Sequence, residues 1–125
     1  MNLKGIEVEF NFLDAEDMEK FEKEVDIVLK KCEKEEKENH KTSESIKIQC
    51  KIIEDFFDNV FGKGISDKIF VKKYNLAEHL EIYADIIKER NVQVDKTENA
   101  FGRYKPNREE RRYNKYRKNN RGRRY

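Results

Sequence analysis

Cysteine is scarce in this chain: Cys32 and Cys50 are the only two, and no CxxC pair is present. Their spacing therefore carries neither a redox motif nor a zinc ribbon. Each falls in a run with helical apolar spacing and reads as a small buried hydrophobe. Long apolar runs are missing as well. The first residues alternate apolar with charged side chains, so no signal peptide is expected, and no run approaches the ~18 apolar residues that cross a bilayer. A soluble, cytoplasmic protein without membrane contact is the expectation. Catalytic signatures are also lacking. His40 and His79 belong to no HExxH motif and have no Cys or Asp at metal-ligand spacing, so both read as surface or boundary residues. The GKG at 62–64 lacks the first glycine and the Ser/Thr of a P-loop and follows a helix, so it reads as a turn. Asp55 and Asp58, three apart on one helix, read as a solvated face. No cofactor, no metal and no catalytic residue is expected.

What the chain has is charge. Of 125 residues, 43% are charged and 36% hydrophobic, so one small domain with a modest core is implied. The net charge of +2 conceals a division. Residues 1–95 hold 16 Lys/Arg against 23 Asp/Glu, whereas residues 96–125 hold 12 against 3. Two parts follow: a mainly helical domain over 1–95 and a basic, tyrosine-containing tail over 96–125. The tail has no aliphatic residue beyond Ala100, cannot offset its ordering entropy, and is expected to be disordered in isolation. Its arginines and tyrosines fit phosphates and unpaired bases, or equally an acidic protein surface.

Periodicity supplies the elements. Ile6, Val8, Phe10 and Phe12 alternate with polar residues, predicting a half-buried strand over 6–12. Its partner is either 91–96, where Val92 and Val94 alternate, or the same strand of another subunit. Asp14 is placed as the N-cap of a helix with the stripe Met18, Phe21, Val25, Val28 and Cys32, widened by Leu29. The stretch 33–45 has no apolar residue and reads as a solvated helix end and loop. A second helix, from about Glu44 to Phe61 and capped by Ser43 or Ser45, carries Ile46, Cys50, Ile53, Phe57 and Val60, and Gly62 ends it at positive φ. Ser66 caps a short turn with Ile69 and Phe70. Asn75 caps a third helix with the stripe Leu76, Leu80, Tyr83 and Ile87. The fold class is thus mainly α: three to four helices, a short N-terminal strand or hairpin, and the tail.

Two stretches, EVEFNFLDAEDMEKFEKEV (7–25) and FFDNVFGKGISDKIF (56–70), resemble the small tail assembly chaperones of long-tailed bacteriophages and prophages of Gram-positive hosts. The ending resembles that family too, through Tyr104, Pro106, Asn107, Arg108, Arg111 and Arg112. After Arg112 the chain departs from it with a longer, tyrosine-rich extension. The resemblance implies a non-enzymatic protein that binds the tape measure protein, keeps it soluble and helps recruit tail tube subunits. It also implies residence in the host cytoplasm and absence from the mature virion. Phe56, Phe57, Phe61, Ile69 and Phe70 are the candidate client-binding surface, with core packing as their other reading, and strand pairing at 6–12 would make a homo-oligomer. The alternatives are a small nucleic-acid-binding phage protein that uses the basic tail, and a structural component of the tail.

Overall fold

The computed structural model describes the backbone of residues 1–104 and the side chains of residues 1–100. Among these lie a two-stranded hairpin and four helices: β1 (Asn2–Leu3), β2 (Ile6–Glu7), α1 (Ala15–Lys37), α2 (Thr42–Phe61), α3 (Ile65–Ile69) and α4 (Leu76–Tyr104). The protein is mainly helical with a short N-terminal hairpin, as its periodicity predicts. Met1–Arg90 forms one compact unit, and α4 from Asn91 onward belongs to a second.

The strand expected over 6–12 is shorter, and within the chain its partner is not 91–96. β2 pairs antiparallel with β1, Leu3 opposite Ile6 and Asn2 opposite Glu7. Lys4 at φ 52° and Gly5 at φ 87° give the two positive-φ residues that a tight two-residue hairpin loop requires. The Asn2 side-chain oxygen accepts the Gly5 N–H at 2.9 Å and fixes the turn. Beyond Glu7 the alternation persists without a ladder. Val8, Phe10 and Phe12 are buried while Glu9 and Asn11 are exposed. Helices rather than a strand bury this face: Phe10 meets the Phe61 ring at 4.8 Å and Phe12 meets Phe21 at 5.1 Å.

Asp14 caps α1 as expected, its carboxylate accepting the Asp17 N–H at 3.1 Å, and Asp17 reaches back to the Asn11 N–H at 2.9 Å. Phe21 and Val28 of the expected stripe are buried, and Met18, Val25 and Cys32 pack partly against the core. Leu29 is 55% exposed and does not widen the buried face. The charged stretch after Cys32 is not simply solvated. α1 continues through it to Lys37, and Glu35 is buried. α2 starts before its expected serine caps. Lys41 precedes it with no side-chain cap, and Ser45 lies inside the first turns, where its hydroxyl accepts from Gln49.

The short connection 38–41 makes α1 and α2 an antiparallel hairpin, with Phe21 against Phe56 at 5.6 Å and Glu24 against Asn59 at 3.2 Å. α2 is the central helix, burying Cys50, Ile52, Ile53, Phe56, Phe57 and Val60. A chain of edge-to-face rings runs through it, Phe12–Phe21–Phe56–Phe57–Phe70, with successive centroids 5.1, 5.6, 5.2 and 5.5 Å apart. Each such pair adds about 0.5–1.5 kcal/mol beyond the area it buries.

α4 departs most from expectation. Its buried positions in the first compact unit are His79, Ile82 and Ile86, while Leu80 is 48% exposed. The face is displaced by one position from the Leu76, Leu80, Tyr83, Ile87 stripe, because a histidine takes the central place in the core. Residues 91–96 lie inside this helix, which rules out the strand pairing, and α4 runs past the boundary expected at 95/96 to Tyr104. The rest of the expected disordered tail, 105–125, lies outside the described residues. No helix among the described residues is long and apolar enough to cross a membrane.

Phe56 is 1% exposed and touches Phe21, Phe57 and Tyr83 rings. Phe56→Ala should destabilise the fold by about 3–5 kcal/mol. Urea unfolding followed by circular dichroism measures this, and a loss below about 1 kcal/mol would contradict the packing described.

Candidate functional site

The segment 56–70 makes a corner. α2 ends at Gly62, whose φ of 134° turns the chain out of the helix, and Gly64 at φ 85° precedes α3. Side chains at either position would strain a backbone that only glycine adopts freely. α3 has no side-chain cap of its own, and Ser66 does not serve as one. Instead the Asp58 carboxylate, from the last turns of α2, accepts the Ser66 N–H at 2.8 Å and the Ser66 hydroxyl at 3.1 Å. Asp58 is thus not part of a solvated acidic face. It caps the next helix from eight residues upstream, a helix-end donor being one of the orphan groups that must find a partner. Asp55 is paired separately, with Lys51 at 2.7 Å.

His79 closes the corner from α4. It was expected at the surface or the boundary, yet its side chain is fully buried. Its ring stacks on Phe70 with centroids 3.9 Å apart and planes 2° from parallel. Nδ1 lies 2.7 Å from the Asn75 carbonyl oxygen and Nε2 lies 2.8 Å from Glu54 Oε2. A carbonyl only accepts, so Nδ1 carries a hydrogen and donates it. The contact at Nε2 then holds one further proton between the imidazole and the Glu54 carboxyl. Glu54 joins this buried pair to an open cleft.

The cleft has a volume of about 610 Å³, and its walls carry four lysines, Lys31, Lys47, Lys51 and Lys73, against four acids, Glu54, Asp55, Asp58 and Asp67, beside Tyr74. Lys47 and Lys73 place their ammonium groups 5.4 and 5.5 Å from the Tyr74 ring centre. Each is a cation–π contact of roughly 0.5–1 kcal/mol at an exposed site. The loop forming this rim also exposes Val71 (87%) and Tyr74 (50%). A rim of mixed charge with an apolar and aromatic lip suits an amphipathic partner.

The five candidate client-binding residues are not on that surface. Phe56, Phe57, Ile69 and Phe70 are buried core, and Phe61 is partly buried against it. They form the floor beneath the corner, and the exposed apolar residues beside it are the ones sequence reasoning missed. Only an interrupted pattern marked them, in Val71 and Tyr74 beside two lysines between two helices. Of the family-like ending, Tyr104 is the last residue of α4, and Pro106, Asn107, Arg108, Arg111 and Arg112 lie outside the described residues. At the opposite end of α2, Glu35, Glu38 and His40 bring possible metal-ligating atoms together.

A family model described as a family of unknown function, DUF6673, matches residues 4–124. The chain belongs to that family. The match runs from the hairpin turn through the corner at 56–70 and the family-like ending. No curated protein and no solved structure matches the chain.

The thiols of this DUF6673 member are not poised for chemistry. Burial, and then the Glu54 charge, push the Cys50 thiol above its ordinary range. Burial followed by Glu36 and Glu35 does the same to Cys32. Because the thiolate is the nucleophile, both should alkylate slowly at pH 7–8 in the folded chain. Iodoacetamide labelling read by mass spectrometry should rise at least tenfold on adding denaturant, and rapid native labelling of Cys50 would contradict its burial.

His79→Phe keeps a stacking ring but removes both hydrogen bonds, and should cost about 1–3 kcal/mol. Combined with Glu54→Gln in a double-mutant cycle, it should reveal a coupling of about 0.5–3 kcal/mol by chemical denaturation. Additivity of the two changes would show that the pair contributes nothing jointly.

Proposed function

We propose that this protein is a tail assembly chaperone of a long-tailed phage or prophage. In this reading it binds the tape measure protein, keeps it soluble and helps recruit tail tube subunits. It acts in the host cytoplasm and leaves before the virion is complete. The role is non-enzymatic: the protein offers a surface and withdraws it.

The observation that carries this reading is the position of the cleft. The block that resembles the chaperone family, 56–70, forms the corner, and the exposed lip of Val71 and Tyr74 lies directly after it. A tape measure protein is long and helical with apolar stripes, so its helices match a groove with an apolar lip and walls of mixed charge. The acidic body supports the same role, because like charge keeps crowded chaperone–client complexes apart.

Co-expression with a tape measure protein tests the proposal. The full chain should raise soluble recovery of the client several-fold. Val71→Asp with Tyr74→Ala should abolish most of that gain while the far-ultraviolet dichroism stays unchanged. No gain from the unaltered chain would sink the chaperone reading. Salt-dependent nucleic-acid binding that is lost on deleting residues 105–125 would favour the nucleic-acid alternative. Detection in purified particles would favour a structural role.

A further inference from the structure

The connection between α1 and α2 gathers side chains that client binding does not use. Glu35 lies in the last turn of α1, Glu38 is the residue on which that helix ends, and His40 follows in the connection 38–41. One ligand atom from each lies within 4.8 Å of the other two. His40 Nε2 makes a long hydrogen-bond contact of 3.3 Å with Glu38 Oε1 and lies 3.5 Å from Glu35 Oε1. Glu35 is only 7% exposed, yet its Oε1 is buried without a hydrogen-bond partner. The 3.5 Å approach of His40 is a charge contact, not a hydrogen bond. A buried carboxylate oxygen left in that state is costly, so something is expected to occupy the space it faces.

The spacing indicates what. A charge-assisted hydrogen bond between a ring N–H and a carboxylate closes to about 2.7–2.9 Å. Both contacts here are longer. In a tetrahedral site with metal–N and metal–O bonds of about 2.1 Å, neighbouring donor atoms are roughly 3.4 Å apart. The two distances from His40 Nε2 bracket that edge. Glu44 Oε2, at the start of α2, lies 3.7 Å from His40 Nδ1. A small closure there lets it accept the Nδ1–H, which fixes the tautomer that presents Nε2 outward, as partners behind metal-bound histidines do.

We propose that Glu35 Oε1, Glu38 Oε1 and His40 Nε2 bind a divalent transition-metal ion of the zinc type, with a fourth position open to water. One imidazole with two carboxylates suits zinc and its neighbours, whereas magnesium and calcium prefer all-oxygen sites. The Glu38 and His40 side chains are 47% and 28% exposed, so an ion can enter from solvent. Once bound, it ties the end of α1 to the connection that leads into α2. The proposal rests on residues 35–44 and stands independently of the chaperone reading.

The test uses the tag-free full chain, stripped with chelator, and zinc chloride alone as the probe. Calorimetry at pH 7.5 should show one equivalent bound, with magnesium and calcium giving no comparable heat. Because the chain has only two histidines, ring signals in a histidine-selective NMR spectrum can be assigned, and zinc should shift those of His40 and not those of His79. His40→Ala and Glu35→Gln should each weaken binding at least tenfold, whereas Cys32→Ser should leave it unchanged. His40 lies in a partly exposed connection, so its replacement keeps the test valid if Glu35→Gln fails to fold. Zinc should also raise the Tm of the unaltered chain and not that of His40→Ala. Binding unaffected by His40→Ala, or the absence of saturable binding, would overturn the assignment.

Discussion

One buried imidazole holds three helices together. His79 of α4 stacks on Phe70 at the end of α3, meets Glu54 of α2 through Nε2 and bonds the Asn75 carbonyl of its own first turn through Nδ1. Every polar atom of the ring is used, which is the condition for placing it in a core at all. The arrangement also sets the register of α4. Turning that helix by one residue would bring Leu80 inward and leave Glu54 facing an apolar side chain. A leucine at position 79 would bury well but would not discriminate between those two registers. The histidine specifies orientation as well as filling space.

The aromatic chain and the capping carboxylate act in the same region. Phe57 and Phe70 bridge α2 to the residue that ends α3, while Asp58 binds Ser66 at the start of α3. A five-residue helix has little stability of its own. Here both its ends are held by α2, one through a carboxylate and one through a ring. The corner is therefore firm underneath, and the adjoining loop projects Val71 and Tyr74 from a fixed base. A binding surface gains from such support, since ordering a loop at the moment of contact consumes affinity.

The elements of this fold were largely legible in the sequence, and their partners were not. Heptad-like spacing gave α1 and α2, and Asp14, Asn75 and Gly62 marked real helix ends because capping is a local matter. Some helix ends were misplaced locally, as at the start of α2 and the end of α4, but the failures in partner choice were long-range. Alternation at 6–12 does appear as alternating burial, but periodicity does not say whether a strand or a helix face covers it. Asp58 and Ser66 looked like separate features because the bond joining them crosses two glycines. His79 interrupted an apolar stripe and was set aside as polar, although its placement depends on Glu54, 25 residues earlier. Glu35 sat in a run of charge with nothing to mark it as buried. As for the candidate site, its apolar floor was visible in the phenylalanines, whereas its exposed lip was not, since exposure depends on what fails to pack there.

The order of synthesis gives the His79 junction a further consequence. Glu54, Phe57 and Phe70 all leave the ribosome before the imidazole that completes them. At about 5–20 residues per second, His79 follows Glu54 by roughly one to five seconds. Helices form in about a microsecond, so α1 and α2 have ample time to pair while their third side stands open. During that interval the nascent chain displays the rings that the finished protein hides. The core of α2 is therefore completed only when α4 arrives, His79 first and then Ile82, Tyr83 and Ile86.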